Sequence, residues 1–256
     1  MNVYDGQRIA TMLAHHGLTQ TDNVADADII ILNTCSVREK ATNKVYSALG
    51  RIRKEKKPTA LFGIVGCVAR ESGADAFKRI PDLNFVLGPQ SYHKLPEILT
   101  APDIRLLNID LGGLEKFDEL PQMTISPSVA YIPIQEGCYH CCTYCIVPFA
   151  RPDKRSKPAP DVLKEITALV EKGFAEVVLT GINIGNYSCP QTGADLALLC
   201  RQIAALQGHF RVRFSSIELQ TVAEGVVDLM AARPDRFCNY FHLPLQAGCD
   251  SVLKAM

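Results

Sequence analysis

Eight residues in the middle of the chain have the types and spacing of a metal-binding loop. They read C-Y-H-C-C-T-Y-C and place Cys138, Cys142 and Cys145 at C-x3-C-x2-C, directly after an apolar run that ends in Glu136-Gly137. Thiolates are soft ligands that select iron–sulfur clusters or zinc. Three thiolates would leave one iron of a four-iron cluster without a protein ligand, and that open iron could bind a small molecule.

Zinc is the competing metal for this loop. Cys138/Cys141 and Cys142/Cys145 form two C-x2-C pairs, and His140 lies between them. Structural zinc sites usually take their pairs from segments roughly a dozen or more residues apart, so two adjacent pairs have difficulty closing one tetrahedron. The ferredoxin run C-x2-C-x2-C-x3-C does not match either. The spacing therefore favours the open cluster, with Cys141 as a packed thiol rather than a ligand.

Composition and charge restrict the class of protein. The 256 residues are 47% hydrophobic, which is ample for a large core in one or two domains. Lys+Arg and Asp+Glu total 27 each, so any nucleic-acid surface must be local. No apolar stretch approaches about 18 residues and no secretory signal is recognisable, so we expect a cytoplasmic protein without a membrane segment. Ten cysteines then indicate reduced thiols and metal rather than disulfides.

The elements that must position these cysteines alternate between strand and helix patterns. Buried parallel strands are predicted at 28–32, 61–65 and 85–87, and helices near 9–17, 39–56 and 94–99. Cys35 and Cys67 each follow closely after a strand. Because the carboxyl ends of neighbouring parallel strands form the crevice of an open sheet, we expect these two thiols to approach each other. Two cysteines alone are insufficient for most clusters.

The second half repeats the alternation. Strands are predicted at 129–134, 175–180, 209–215 and 239–245, and helices near 160–173, 195–206, 223–232 and from 251. This repetition implies parallel strands that curl towards a barrel, with chemistry at their carboxyl ends. The cysteine loop, the loop after Thr180, Ser216 to Glu218 and Gln246 to Gly248 all lie at such ends. This shared rim predicts a site.

The residues around both groups of cysteines resemble a known family. C-x3-C-x2-C after a first barrel strand is similar to the signature of radical S-adenosylmethionine (SAM) enzymes, whose open iron chelates SAM before an electron cleaves it. The wider stretch E-G-C-x3-C-C-T-Y-C-I-V-P-F-A-R resembles the methylthiotransferases, which modify tRNA adenosine or a ribosomal protein. N-T-C and G-C at Cys35 and Cys67 resemble that family's amino-terminal domain, whose G-C-Q-M-N-x-x-D opening is matched by Met1 to Asp5 only after its cysteine.

The resemblance implies an α/β fold with an amino-terminal parallel-sheet, flavodoxin-like domain followed by a partial radical-SAM (β/α) barrel. We assign residues 1–105 to the methylthiotransferase amino-terminal domain, 106–128 to a Gly- and Pro-containing linker and 129–256 to the partial TIM barrel. The family's first strand and first cysteine would lie upstream of Met1. Its last barrel strands and its RNA-binding TRAM domain would follow Met256. We therefore expect a chain truncated at both ends.

The resemblance also implies two [4Fe-4S] clusters and SAM. Cys138, Cys142 and Cys145 would hold the cluster that cleaves SAM, and Cys35 and Cys67 would hold an auxiliary cluster that lacks its expected third cysteine in this chain. The implied SAM contacts are Tyr144, Gly181, Asn183, Ser216, Glu218 and Gln246. Each of the polar side chains among them could equally be a cap at a strand end. No catalytic residue is predicted beyond the cluster ligands.

The implied reaction uses two molecules of SAM. One supplies a methyl group to a sulfur of the auxiliary cluster, and the other yields a 5′-deoxyadenosyl radical that removes hydrogen from carbon 2 of an adenine. The implied partners are a tRNA anticodon loop and a reducing electron donor such as a flavodoxin, and we expect a monomer. Basic runs at 51–57 and 151–157 could bind phosphates, although a solvated helix face is the commoner explanation.

The motifs leave several substrates open. N-T-C-S-V-R-E-K-A and G-P-Q-S-Y-H-K-L-P resemble the branch that acts on N6-dimethylallyladenosine, whereas L-T-G-I-N-I-G-N-Y and F-S-S-I-E resemble the branch that acts on N6-threonylcarbamoyladenosine. We favour the first branch and place the ribosomal-protein branch below both. Two other classes remain: a non-catalytic metal-binding scaffold that binds RNA, and a radical enzyme with a cobalamin domain. The cobalamin ligand loop Asp-x-His-x-x-Gly is absent from the sequence.

Overall fold

A computed structural model describes residues 2–36, 39–100, 105–111, 128–151 and 153–256, and its two larger sheets are both parallel. The first has the order β1–β2–β3–β4, with β1 at Ile29–Thr34, β2 at Leu61–Gly66, β3 at Phe85–Leu87 and β4 at Leu106–Asn108. The second has the order β5–β8–β9, with β5 at Val129–Pro133, β8 at Glu176–Thr180 and β9 at Arg211–Phe214. Between β5 and β8 in sequence, β6 (Gln135–Glu136) and β7 (Arg155–Ser156) form an antiparallel ribbon.

Helices connect the parallel strands in both halves. The first half contains α1 (Asn2–His15), α2 (Glu39–Glu55), α3 (Cys67–Ser72), α4 (Asp75–Arg79) and α5 (Leu95–Thr100). The second contains α6 (Val147–Ala150), α7 (Ala159–Glu171), α8 (Leu196–Ala204), α9 (Glu224–Ala232) and α10 (Asp250–Ala255). Short 3₁₀ turns lie at Tyr92–Lys94, Ile184–Asn186 and Leu219–Thr221. Within the part of the chain that the structure describes, no helix is long and apolar enough to cross a membrane.

Alternating side chains of the first sheet build a core on each of its faces. Phe62 and Ile64 of β2 pack on the face covered by α2, while Val65 and Phe85 pack on the other face with α1 and α5. The Phe85 ring lies across Gly63, where an added Cβ would come within 2.3 Å of the ring. Both faces of the sheet are therefore covered, as parallel sheets require.

The second half has a single larger core. The inward side chains of β5, β8 and β9 are fully buried beneath α7 and α8, and they include Ile132, Val177, Leu179, Val212 and Phe214. Helix α8 begins at Asp195, whose carboxylate accepts a hydrogen bond from the Leu198 amide at 2.8 Å and so caps the helix. The apolar residues whose spacing predicted these strands and helices are thus the ones that form the core of the second half.

Helix α1 lies between the two halves and packs against both β1 and β5. Its Tyr4 and Asp5 are buried, and Tyr92 donates a hydrogen bond from its hydroxyl to Asp5 Oδ2 at 3.3 Å. The backbone oxygen of Asn2 accepts a hydrogen bond from Asn33 Nδ2 at 2.8 Å. This helix therefore orders the carboxyl end of β1 against the barrel half.

The predicted start of the linker at residue 106 needs correction. Residues 106–108, assigned from sequence to the linker, form β4 and pair in parallel with β3 through Phe85↔Leu106. Leu106–Asn108 contains only two apolar residues and is not fully buried, so no apolar run marks it, whereas the equally short β3 is apolar throughout. The rest of the predicted linker, with Gly112-Gly113, Pro121, Ser126 and Pro127, lies outside the described residues apart from its ends.

The fourth predicted barrel strand, 239–245, is not a regular strand. One isolated parallel bridge, Ser216↔His242, joins it to the residues just after β9, and Phe241 stacks on Phe214 with ring centroids 6.0 Å apart. Pro244 has no amide N–H to donate, and Gln246 has a φ of 66°, so a ladder does not form. The segment thus takes the place of a strand without its pairing.

Candidate active site

A cavity of about 490 Å³ separates the carboxyl ends of the two sheets. Cys35 follows β1 and Cys67 begins α3 directly after β2, and both thiols line the cavity from the side of the first sheet. Thr180, at the end of β8, and Phe214, at the end of β9, line it from the opposite side. The structure therefore brings the strand-end cysteines of one half to the mouth of the other.

Thr34 fixes the position of the two strand ends that carry these cysteines. Its buried hydroxyl donates to the Val65 oxygen at 2.7 Å and accepts from the Val68 amide at 3.2 Å. Gly66, the last residue of β2, has a φ of 96°, and a Cβ on this residue would lie 2.5 Å from the Thr34 backbone oxygen. This close approach explains why N-T-C and G-C stand at the ends of neighbouring strands: the threonine ties them and the glycine lets them meet.

The cysteine loop begins where β6 ends, after Gly137 at a φ of 70°. Cys138, Cys142 and Cys145 are all partly exposed, and the Cys145 amide donates to the Cys142 oxygen at 2.9 Å. Burial raises the pKa of the Cys138 thiol; nearby Glu218, Cys145 and Cys142 add to this, while the His140 amide opposes it. Three partly exposed thiols on one loop have the donor chemistry of an iron–sulfur cluster with one open iron.

Cys141 does not behave as predicted. It was expected to be a packed thiol, but it is exposed, with its Sγ 3.8 Å from the Tyr139 oxygen. Irregular loop backbone at the surface offers no apolar contacts for it, so the burial statistics of free cysteine do not apply here.

A second set of possible metal ligands overlaps the cysteine loop. The Cys138 thiol, His140 imidazole and Glu218 carboxylate have ligand atoms within 4.8 Å of one another, and His140 Nε2 lies 3.1 Å from Glu218 Oε2. Zinc accepts such a mixed set in open sites. The local geometry therefore offers ligands for either metal, and the sequence alternative of zinc stays chemically reasonable at this loop.

The six residues predicted to contact SAM fall into three groups. Gly181 and Ser216 line the cavity. Tyr144 and Gln246 contact each other at 3.0 Å on the exposed side of the cysteine loop, and Glu218 contacts His140. These five residues thus surround the rim formed by the loop and the strand ends.

Asn183 does not line the cavity. It is buried, and its Oδ1 accepts hydrogen bonds from the Gly185 amide at 3.2 Å, the Glu218 amide at 3.2 Å and the Thr221 hydroxyl at 3.0 Å. The side chain therefore joins the loop after β8 to the loop after β9, which is the cap role that the sequence left open. It acts on the rim through the position of Glu218.

Several cavity residues were missed by the sequence analysis. Four polar side-chain atoms face this region buried and without a hydrogen-bond partner among the described residues: Ser36 Oγ, Arg151 Nε, Thr180 Oγ1 and Ser215 Oγ. Thr180 and Ser215 end predicted strands and Ser36 follows Cys35, so their positions carried a signal. Buried polar atoms without partners are costly unless a ligand or water satisfies them, which marks the cavity as a polar binding site.

The second basic run points inward. Arg155 pairs with Glu136 at 3.0 Å, Lys157 pairs with Glu165, and Arg151 is buried. Lys154 is half-buried, with its ammonium 4.9 Å from the centroid of the Tyr139 ring. Burial lowers the pKa of Arg151, but Cys67, Glu136, Asp5 and Tyr92 outweigh it and the net shift is upward. These cations hold the protein together rather than form a phosphate-binding face.

The first basic run stays at the surface. Arg53 pairs with Asp82 at 2.7 Å and Lys57 pairs with Asp28 at 2.8 Å. Arg51 and Lys54 are exposed on the same helix. This run is therefore partly neutralised, and it is the better of the two candidates for a phosphate contact.

Comparisons with known proteins agree with this arrangement. The model of Uncharacterized protein family UPF0004 matches residues 1–88, and that of the Radical SAM superfamily matches residues 132–256. A tRNA-2-methylthio-N(6)-dimethylallyladenosine synthase of Legionella pneumophila (strain Corby) is 42% identical over the whole of this chain, which covers 59% of that protein. Over its whole length this chain is similar to the methylthiotransferase family of radical SAM proteins. The resemblance inferred from the cysteine motifs is therefore confirmed.

Other methylthiotransferase relatives give the same picture. Synthases of the same name from Coxiella burnetii (strain Dugway 5J108-111) and Burkholderia multivorans (strain ATCC 17616 / 249) are 41% and 40% identical over all of this chain. This chain covers 60% and 58% of their lengths. It therefore spans about three fifths of the curated relatives that it matches.

Solved structures confirm the fold class. The radical SAM methyltransferase TsrM from Kitasatospora setae, with tryptophan substrate and a SAM analog bound, has a TM-score of 0.64 at 14% identity and covers 98% of this chain and 57% of its own. Its form with cobalamin and a [4Fe-4S] cluster has a TM-score of 0.59 at 13% identity, covering 94% and 55%. An amino-terminal parallel-sheet half followed by a partial radical-SAM barrel is the arrangement of this chain.

Proposed function

We propose that this chain carries the catalytic core of a tRNA methylthiotransferase, which adds a methylthio group to carbon 2 of N6-dimethylallyladenosine next to the anticodon. The observation that supports this most directly is the single cavity lined by Cys35 and Cys67 on one side and by the barrel strand ends on the other. Methylthio transfer needs a sulfur site and a radical site that face one substrate. A cavity between the two halves would meet that need.

Cys138, Cys142 and Cys145 are the proposed ligands of the [4Fe-4S] cluster whose open iron binds SAM. When bound, that cluster would supply the electron that cleaves the sulfonium of SAM. The chain's own part is to orient SAM, through Gly181 and Ser216 at the cavity wall, and to exclude water from it. Tyr144 and Gln246 would close the outer side of the same rim.

Cys35 and Cys67 are the proposed ligands of the auxiliary cluster. Among the described residues that line the cavity, these two are the thiols. A third protein ligand, expected from the family resemblance, would complete the site. Arg151 lies at the same wall with a buried guanidinium, so a net negative cluster there would meet a fixed positive charge.

The lining of the cavity favours an apolar substituent on the adenine. Ile146, Val147 and Ala150 form one apolar wall, and Arg213, the second cation at the cavity, is already paired with Glu176 at 2.6 Å. A dimethylallyl group would pack against this wall, whereas the carboxylate of a threonylcarbamoyl group would find both arginines already paired, since Arg151 lies 3.4 Å from a Glu136 carboxylate oxygen. The names of the relatives agree with the first choice.

The proposed partners are a tRNA anticodon loop and a reducing electron donor, and the proposed location is the cytoplasm. A tRNA anticodon loop suits the site because its unstacked bases can enter a cavity. A reducing donor such as a flavodoxin would have to deliver the electron. A cytoplasmic monomer remains the prediction from sequence.

The decisive experiment is anaerobic reconstitution with iron and sulfide analysis, followed by a 5′-deoxyadenosine assay and mass analysis of tRNA. We expect the Cys138→Ala/Cys142→Ala/Cys145→Ala variant to lose about four irons and all SAM cleavage. We also expect modification of tRNA that bears dimethylallyladenosine and none of tRNA that bears threonylcarbamoyladenosine. Zinc in place of iron, or an iron-loaded protein that leaves SAM intact, would refute the enzyme and favour the RNA-binding scaffold.

A further inference from the structure

A buried polar network joins the two halves beside both groups of cysteines. Glu136 is 0% exposed, and its carboxylate accepts hydrogen bonds from Gln90 Nε2 at 2.9 Å, an Arg155 nitrogen at 3.0 Å and Arg151 NH1 at 3.4 Å. The same Arg155 nitrogen donates to Gln90 Oε1. Gln90 is thus held at both ends of its amide by residues of the other half.

The members of this network come from the three parts of the candidate site. Gln90 follows β3, the neighbour of the strand that ends at Cys67. Glu136 ends β6 and stands two residues before Cys138. Arg151 lines the cavity together with Cys35 and Cys67. A shift of Gln90 against Glu136 would therefore change the separation of the two thiol groups.

Stability alone does not explain such a network. Removing a carboxylate and two guanidinium groups from water costs free energy that their pairing only partly returns, and apolar residues of similar volume are often at least as stabilising. Hydrogen bonds differ from apolar contacts in being directional, so a network in which Glu136 and Gln90 are each bonded at several atoms restricts how its members can be arranged. What the network adds is therefore a fixed position of Gln90, in the first half, relative to Glu136, in the second half.

We propose that Gln90 and Glu136 are positioning residues that hold the Cys35/Cys67 edge of the first sheet at a set distance from the cysteine loop. This inference rests on the proposed function. Radical formation needs only the cysteine loop and the barrel rim, whereas methylthio transfer needs both halves in register. Loosening the Gln90–Glu136 contact should therefore uncouple the two: 5′-deoxyadenosine is still formed, but less of it leads to product.

The test uses Gln90→Met in the reconstituted holoprotein, because methionine keeps the length and approximate volume of glutamine without its amide. Gln202→Met, on the exposed face of α8, is the matched control. We expect 5′-deoxyadenosine formation and iron content to stay at the level of the control. We expect methylthio product per 5′-deoxyadenosine to fall about ten- to hundredfold, the usual effect of a displacement of about 1 Å at a reacting centre. A ratio equal to that of Gln202→Met would overturn the proposal, as would an equal loss of both products.

Two further measurements keep the outcomes separate. Should Gln90→Met not fold, Glu136→Gln, which keeps the shape and removes the charge, is expected to show the same uncoupling, and an unchanged ratio there counts against the proposal. If the parent protein forms no 5′-deoxyadenosine, it is the proposed function that fails. Hydrogen exchange then judges the positioning alone: we expect amides of the cysteine loop and of Val68 to exchange about tenfold faster in Gln90→Met, and unchanged rates would refute it.

Discussion

The hydroxyl of Tyr144 donates a hydrogen bond to Oε1 of Gln246 at 3.0 Å, across 102 positions of the sequence. A second contact reinforces it, because the Thr143 amide donates to the Met256 oxygen at 2.8 Å. Two hydrogen bonds thus connect the solvent-exposed side of the cysteine loop to residues 246–256. These hydrogen bonds would position the loop and leave its thiols accessible.

Tyr144→Phe should weaken SAM binding without affecting cluster assembly. The side chain is 61% exposed, so loss of its hydroxyl should change the free energy of unfolding by less than about 0.5 kcal/mol. We expect the KM for SAM in the 5′-deoxyadenosine assay to rise a few fold with unchanged iron content. Tyr139→Phe, equally exposed on the same loop but without this partner, is the control. Loss of iron in Tyr144→Phe would instead place the tyrosine in cluster binding.

Thr34→Val should destabilise the first sheet. Valine has nearly the same shape, but it leaves the Val65 carbonyl and the buried Val68 amide without the hydroxyl that joins them. We expect a loss of about 1–3 kcal/mol in urea unfolding of the metal-free protein. Thr11→Val is the matched control, since Thr11 is equally buried but its hydroxyl bonds only the Gln7 oxygen within α1. Equal losses in both variants would show that Thr34 has no special role at the strand ends.

Gly63→Ala should be destabilising even though the residue lies in a regular strand. Its Cβ would lie 2.3 Å from the Phe85 ring, so the ring or the strand must shift, at a cost of about 1–3 kcal/mol. Gly50→Ala is the opposite case, because nothing lies within 4 Å of its Cβ in α2 and alanine favours helix by up to about 1 kcal/mol. Thermal unfolding of the two variants should shift in opposite directions. A shift of both in the same direction would contradict the packing.

Cys189 should make stability depend on pH. Burial raises the pKa of this thiol, but donors that include the Ala159 amide and the Thr192 hydroxyl lower it to about 7. Between that value and the higher pKa of an unfolded thiol, the unfolded chain binds more protons, so stability rises with pH from about 7 to 9 and is lost as pH falls through 7. We expect a gain about 2 kcal/mol larger than in Cys189→Ser, measured by urea unfolding at both pH values. Parallel pH profiles would disprove it.

Most of the strands and helices followed from periodicity, and the exceptions have local causes. Apolar runs such as Ile29–Leu32 and Phe85–Leu87 indicate buried strands, whereas Leu106–Asn108 has only two apolar residues and is partly exposed. The alternation at 239–245 indicated a strand, but Pro244 and the positive φ of Gln246 prevent a ladder. The sequence indicated that Asn183 follows a strand. It did not identify the three donors to its Oδ1, because two of them, the Glu218 amide and the Thr221 hydroxyl, are distant in sequence.

The amino-acid sequence alone predicted the ligand chemistry of the candidate site, because the signals for it are local. C-x3-C-x2-C puts three thiols on one loop, and a cysteine after each of two neighbouring strands brings two more to one sheet edge. It is the tertiary packing that places Cys35 and Cys67 opposite the strand ends of the barrel half across one cavity, and that joins the two halves through Gln90, Glu136 and Arg151. Gln90 and Glu136 are 46 positions apart, and no helical or strand period extends over that distance. Such contacts arise from how whole elements pack, which depends on the core of both halves at once.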